Sequence, residues 1–146
     1  MPDVVECPGC GFQLCRVDIS PMSDEWIFYC DSCPHRVDVS FYDSIVNQIR
    51  NQLQQEGKWD YDLLMERIED KLKPCVCGGH YKKVVARRCF NCNSEIIRDD
   101  EHGSMGRRIM LYPSIFCPDD DNLDLETQYI KFYEEYVLRK NIWKPL

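Results

Sequence analysis

Eight of the ten cysteines fall into four close pairs: Cys7-Pro8-Gly9-Cys10, Cys30-Asp31-Ser32-Cys33, Cys75-Val76-Cys77 and Cys89-Phe90-Asn91-Cys92. Such a pair presents two sulfurs from one tight turn. Two pairs complete the tetrahedral four-thiolate shell that zinc prefers. Cys10 is followed after nineteen residues by Cys30, and Cys77 after eleven by Cys89. The first spacing is one that zinc sites use, and the second is a shorter relative of it. The expectation is therefore one ion on Cys7, Cys10, Cys30 and Cys33, and another on Cys75, Cys77, Cys89 and Cys92. Gly11 and Gly78 directly follow a cysteine, where a positive φ lets backbone amides turn toward sulfur. Four cysteines leave no position for water or substrate, so both ions are expected to be structural.

Other chemistries suit these residues less well. Cys7-Pro8-Gly9-Cys10 has the spacing of a redox dithiol, but that motif should open a long helix after a buried strand. Here Gly11-Phe12-Gln13-Leu14 follows, and Cys30 and Cys33 offer a matching pair. Iron takes the same four-sulfur set as zinc. His35 and His80, close behind Cys33 and Cys77, are candidate ligands or hydrogen-bond donors. Cys15 and Cys117 read as small buried hydrophobes, with Cys15 a possible substitute ligand. His102 reads as solvated. Ser104 sits in no nucleophile elbow, no glycine-rich phosphate loop is present, and Asp119-Asp120-Asp121 lacks the spacing of a calcium loop. No catalytic group is assigned, and the chain is not expected to be an enzyme.

The paired turns resemble the knuckles of zinc-ribbon (rubredoxin-like) domains, in two copies over residues 4–39 and 72–98. That resemblance implies two small three-stranded ribbons on structural zinc. It implies little about function, since ribbons occur in transcription factors, ribosomal proteins, enzymes and adaptors. The Cys75-x-Cys77 knuckle departs from the commoner three-residue step.

The elements that must position these turns are legible between them. Glu25-Trp26-Ile27-Phe28-Tyr29 reads as a strand delivering Cys30, and His80 to Val85 and Arg87 to Phe90 as short strands. Ser40-x-x-Asp43 resembles a capping box. Phe41, Ile45, Ile49 and Leu53 then recur every four residues, with Gly57 as a stop. Asp60 caps a second helix with Tyr61, Leu64, Met65, Ile68 and Leu72 on one face, ended by Pro74. Ile109 to Tyr112 can form a strand, and Glu101 to Gly106 a loop. In the tail, Leu125, Tyr129, Phe132, Tyr133, Tyr136 and Val137 form an aromatic stripe on a helix. Asp119 to Asp121 and Asp124 precede it, and Arg139 and Lys140 end it, a polarity that suits the helix dipole.

The fold class expected is small α+β and metal-stapled. It comprises a ribbon over 1–39, a helical hairpin over 40–73, a second ribbon over 74–98, a loop and strand segment over 99–122, and a C-terminal helix over 123–146 packing on the rest.

Length and charge bound the function. The 146 residues suffice for one ordinary domain or two small ones. Hydrophobic residues at 44% exclude wholesale disorder, while charges at 29% interrupt every run long enough to span a membrane. The N-terminus shows no signal-peptide pattern, so a cytoplasmic protein with reduced thiols is expected. The net charge of −7 opposes whole-surface binding to a phosphate backbone and favours a basic protein partner. Residues 1–70 carry 5 basic and 14 acidic groups, whereas residues 71–108 carry 9 and 4. The first expectation is thus a non-enzymatic zinc-binding interaction protein, one version being an acidic inhibitor or immunity-type protein that masks a basic partner. The alternative is a nucleic-acid-binding or transcription-associated protein using Lys82, Lys83, Arg87 and Arg88. No small-molecule substrate is inferred.

Overall fold

The computed structural model describes residues 3–19, 24–97, 108–114, 125–138 and 141–145. Three sheets organise them. β1 (Asp3–Glu6), β2 (Gln13–Ile19) and β8 (Arg108–Pro113) form an antiparallel sheet in the order β1-β2-β8. The central sheet runs β5-β3-β4-β9, from Tyr81–Lys82, Glu25–Cys30, Arg36–Ser40 and Val137–Leu138. β6 (Arg87–Arg88) and β7 (Glu95–Ile97) make a small third ladder.

β3 sits inside the central sheet and is buried on both faces, which explains its unbroken apolar run. Side chains alternate across the pleat. Trp26, Phe28 and Cys30 join Val37 and Val39 of β4 beneath the two middle helices, α1 (Ser44–Gln55) and α2 (Tyr61–Lys71). Those helices contribute Val46, Ile49, Leu53, Leu64, Met65 and Ile68 to the same core. On the opposite face, Ile27 and Tyr29 meet Tyr112 of β8 and Phe132 of α3 (Leu125–Tyr136). The central sheet is thus covered on both sides, with helices from the middle and the tail of the chain.

Asp43, not Ser40, caps α1: its Oδ1 accepts from the Ile45 amide at 2.9 Å. The Ser40 hydroxyl instead accepts from the Tyr42 amide, tightening the turn before the helix. Asp60 occupies the N-cap of α2, and Gly57 takes a φ of 68° just past α1. Tyr61 is half exposed and belongs to the outer surface rather than the core face of α2.

The tail is not helical throughout. α3 ends at Tyr136, and β9 then pairs in parallel with β4. Beyond it the Lys73 amide donates to the Ile142 carbonyl, Leu72 and Trp143 form a bridge, and the Lys144 amide donates to the Lys71 carbonyl. The chain end therefore closes over the end of α2. The Trp143 indole donates to Asp43 Oδ2 at 3.2 Å, so one carboxylate both caps α1 and anchors the tail. The β8 strand matches the expected Ile109 to Tyr112 segment. The Glu101 to Gly106 loop, the Asp119 to Asp121 run and Asp124, Arg139, Lys140, His102, Ser104 and Cys117 lie outside the described residues.

Arg36 is buried on the α3 side of β4. Its guanidinium lies 5.3–5.7 Å from the ring centres of Phe132, Tyr112 and Tyr133, with Asp38 at 3.4 Å. A charge so desolvated needs its counter-ion on the same strand. Cys15 is also fully buried, but it is disulfide-bonded rather than a free apolar side chain. Among the described residues, no helix is long and apolar enough to cross a membrane.

Candidate metal centres

The four cysteine pairs assemble into two tetrads, and the tetrads are crossed. Cys7 and Cys10 meet Cys89 and Cys92, while Cys30 and Cys33 meet Cys75 and Cys77. This corrects the grouping expected from linear order, in which Cys7 and Cys10 would join Cys30 and Cys33. Strand pairing decides it. β3 pairs antiparallel with β5, setting Cys30 opposite Tyr81 and bringing the 75–79 turn beside the 30–33 turn. The β1–β2 hairpin instead packs Cys7 and Leu14 against Cys89, with Phe12, Phe90 and Ile96 around them.

The two knuckles of the first tetrad are built by the same backbone device. In the first tetrad the Cys7 amide donates to the Phe12 carbonyl and the Gly11 amide to the Cys7 carbonyl. Across from it, the Cys89 amide donates to Ser94 and the Asn93 amide to Cys89. Gly11 at φ 76° and Asn93 at φ 64° occupy the same left-handed corner, four residues after the first cysteine. Asn is the residue that best replaces Gly there. In the second tetrad, Gly78 at φ 94° turns the shorter Cys75–Cys77 step. Amides two residues on donate to Cys7, Cys30, Cys77 and Cys89 at 3.3–3.4 Å. Such donation stabilises thiolate sulfur.

The sulfur geometry fits a tetrahedral ion. Across the first tetrad Cys7 and Cys92 are 3.6 Å apart and Cys10 and Cys89 3.7 Å. In the second, Cys30 and Cys77 are 3.5 Å apart and Cys33 and Cys75 3.4 Å. A zinc ion with Zn–S bonds of about 2.3 Å sets its sulfurs about 3.8 Å apart. A disulfide would need about 2.05 Å, and all eight thiols are free. Within each tetrad every sulfur lies within 4.8 Å of every other. The donor set is therefore right in chemistry, number and spacing for zinc, and iron would accept the same set.

Burial splits each tetrad. Cys7, Cys89, Cys30 and Cys75 are buried, whereas Cys10, Cys92 and Cys77 reach the surface. Burial pushes the Cys30 thiol up to about 12, against donation from the Ser32 amide. It does the same to Cys89, also up to about 12, against the amides of Cys92 and Asn91. The hydroxyl and amide of Ser94 hold Cys92 down to about 6. Burial raises Cys33, while at Cys77 the burial penalty is outweighed by the Gly79 amide and neighbouring sulfurs. A divalent cation answers both tendencies by replacing the inner protons and neutralising the outer thiolates.

His35 is placed as an outer partner. Its Nδ1 lies 3.4 Å from Cys33 Sγ and 3.6 Å from Cys75 Sγ, and the ring leans on Tyr136. His80 contributes its backbone: its amide donates to Asp31 Oδ1 and its carbonyl accepts from the Asp31 amide. Asn91 and Ser94, which no spacing rule singled out, contact Cys10 and Cys92 at 3.4 and 3.2 Å. The one sequence signal for this shell is Asn93, standing where the Cys7–Cys10 and Cys75–Cys77 knuckles have glycine and the Cys30–Cys33 knuckle has Pro34.

The expected basic patch is dispersed. Arg87 is buried, its guanidinium 4.1 Å from the Tyr29 ring centre. Arg88 donates to the carbonyls of Asp31 and Asn93 and pairs with Glu95. Lys82 pairs with Glu69 at 3.7 Å, and Glu69 also accepts from the Lys83 amide.

Together these features define a small α+β protein with two four-cysteine centres sewn between distant segments. The chain belongs to the family described as a domain of unknown function, DUF8255, whose family model matches residues 3–98. All eight tetrad cysteines lie inside that span. No curated protein matches the chain. No solved structure matches it either.

Proposed function

We propose that the chain is a non-enzymatic, zinc-stapled interaction module. Cys7, Cys10, Cys89 and Cys92 hold one structural ion, and Cys30, Cys33, Cys75 and Cys77 hold the other. The observation that carries this reading is the closure of both tetrads by protein sulfur alone. A four-sulfur shell leaves a Lewis acid no site for substrate, so the ions stabilise the fold and the outer surface does the work.

The partner class is a basic protein. The net charge is −7, and α2 turns Asp62, Glu66 and Asp70 outward at helical spacing, with exposed Asp60 at its cap. Exposed Trp59 and Tyr61 flank that cap and supply the apolar contact area that such an interface needs. One concrete version is an acidic inhibitor that masks a basic enzyme such as a nuclease. The nucleic-acid alternative is left with Lys82 and Lys83, because the Arg87 and Arg88 side chains are engaged within the fold.

X-ray absorption and native mass spectrometry of protein purified without chelator test the reading. Two zinc ions, each with four sulfurs, and a basic protein partner released by salt are the expected result. An ion with an exchangeable oxygen ligand would overturn the non-enzymatic reading.

A further inference from the structure

The two tetrads are joined by hydrogen bonds that run from one knuckle to the other. The Asn93 side-chain amide donates to the Ser32 carbonyl at 2.7 Å. The Arg88 Nε donates to the Asp31 carbonyl at 3.2 Å, and its Nη1 returns to the Asn93 carbonyl at 2.9 Å. Asp31 and Ser32 lie inside the Cys30–Cys33 turn of the second tetrad. Arg88 and Asn93 bracket the Cys89–Cys92 turn of the first. Two outward-facing carbonyls of one knuckle therefore receive their protein donors only when the other knuckle is folded.

Resting on the two-ion reading above, we infer that Arg88 and Asn93 are positioning residues that make metal loading at the two centres positively cooperative. Without its ion a tetrad keeps only the apolar contacts beside it and loses the link between its four sulfurs, so metal binding there also orders the two turns locally. When the first ion orders its own tetrad, these bonds order one turn of the second, and the second ion meets a site already half built. Linkage makes the effect reciprocal. Neither residue touches an ion, and neither substitution removes a sulfur.

Asn93→Gly is the clean variant: glycine accepts the φ of 64° and deletes only the bridging amide. Arg88→Ala is the second variant. Arg67→Ala, which removes a surface ion pair with Glu56 between α1 and α2, is the control. The experiment is native mass spectrometry of the full chain while zinc is withdrawn by a chelator. Two equal, independent sites give about half singly loaded molecules at half occupancy, and a tenfold coupling lowers that to about a quarter.

The wild type and Arg67→Ala are expected at or below the lower figure. Asn93→Gly and Arg88→Ala should rise toward one half while still binding two ions at excess zinc, with unchanged circular dichroism. If Arg88→Ala does not fold, Asn93→Gly decides. A singly loaded fraction that is the same in wild type and Asn93→Gly overturns the coupling and leaves the two-ion reading standing. Failure of the wild type to bind two ions overturns that reading itself.

Discussion

A Cβ placed on Gly79 would lie 2.8 Å from Cys30 Sγ, 2.6 Å from Asp31 Oδ1 and 2.8 Å from Ser32 Oγ. Gly79 lies just past the Cys75–Cys77 turn and the three atoms belong to the facing knuckle, so a side chain at this position would press on the Cys30 ligand and its neighbours. Gly79→Ala should cost about 1–3 kcal/mol through overpacking and selectively weaken the second centre. Gly9→Ala meets the Ser94 hydroxyl at 3.0 Å, an atom that can rotate away, and should be milder. Thermal melts with zinc counts per chain compare the two. Equal behaviour would show that the facing knuckle can give way.

Crossed ligation makes a prediction that linear grouping reverses. Cys7→Ala with Cys89→Ala damages one tetrad and should leave about one ion per chain. Cys7→Ala with Cys30→Ala damages both and should leave none. Metal content by native mass spectrometry reads the difference directly. One ion retained in the Cys7/Cys30 pair would mean that the tetrads follow chain order after all.

Asp43 serves two elements with its two oxygens. Asp43→Ala should cost about 1–2 kcal/mol, mostly for the lost helix cap. It should also shift Trp143 emission, because the indole loses its acceptor. Asp43→Asn retains a side-chain oxygen for the cap and should recover most of the stability. An unchanged emission spectrum in Asp43→Ala would show that the tail is held by its backbone bonds alone.

Arg87→Ala removes a buried cation from the Tyr29 ring and the stem that packs with it. A loss of about 1–3 kcal/mol is expected, with both ions retained. Changing Arg87 and Arg88 to Glu would therefore report on folding as much as on nucleic acid. Lys82→Glu with Lys83→Glu is the cleaner probe of that alternative. A stable Arg87→Ala protein would show the ring contact to be incidental.

Metal affinity should rise with pH. Cys30 and Cys89, raised to about 12, hold protons throughout the neutral range, and an ion must displace them. Cys92, lowered to about 6, is already a thiolate at neutral pH and adds a proton to the balance only in acid. Chelator competition should show affinity falling from about pH 8 to about pH 6, with proton release on binding. A flat profile would show that the thiols are ionised before the ion arrives.

The sequence carried the ingredients of the candidate site more fully than its assembly. Cysteine spacing is a local signal, and it picked out the eight thiols that the structure gathers into tetrads. The two middle helices were legible for a similar reason, since Ile49, Leu53, Leu64 and Ile68 keep helical period against one core. Which knuckle faces which is not local. It follows from β3 pairing with β5 and from Leu14 packing beside Cys7 and Cys89, contacts that no spacing encodes. The tail misled for another reason: Val137 continues the aromatic stripe of α3, yet an open edge of β4 outcompetes one more helical turn. Arg87 reads as surface charge until Tyr29 is seen beneath it.

The 85-residue separation between Cys7 and Cys92 also has a consequence for biosynthesis. At translation speeds of about 5–20 residues per second, the first knuckle leaves the ribosome several seconds or more before its ligand partners exist. During that interval Cys7 and Cys10 are bare thiols on a nascent chain, open to oxidation or to stray metal. The newborn protein depends on its surroundings to keep them reduced until the opposite turn emerges.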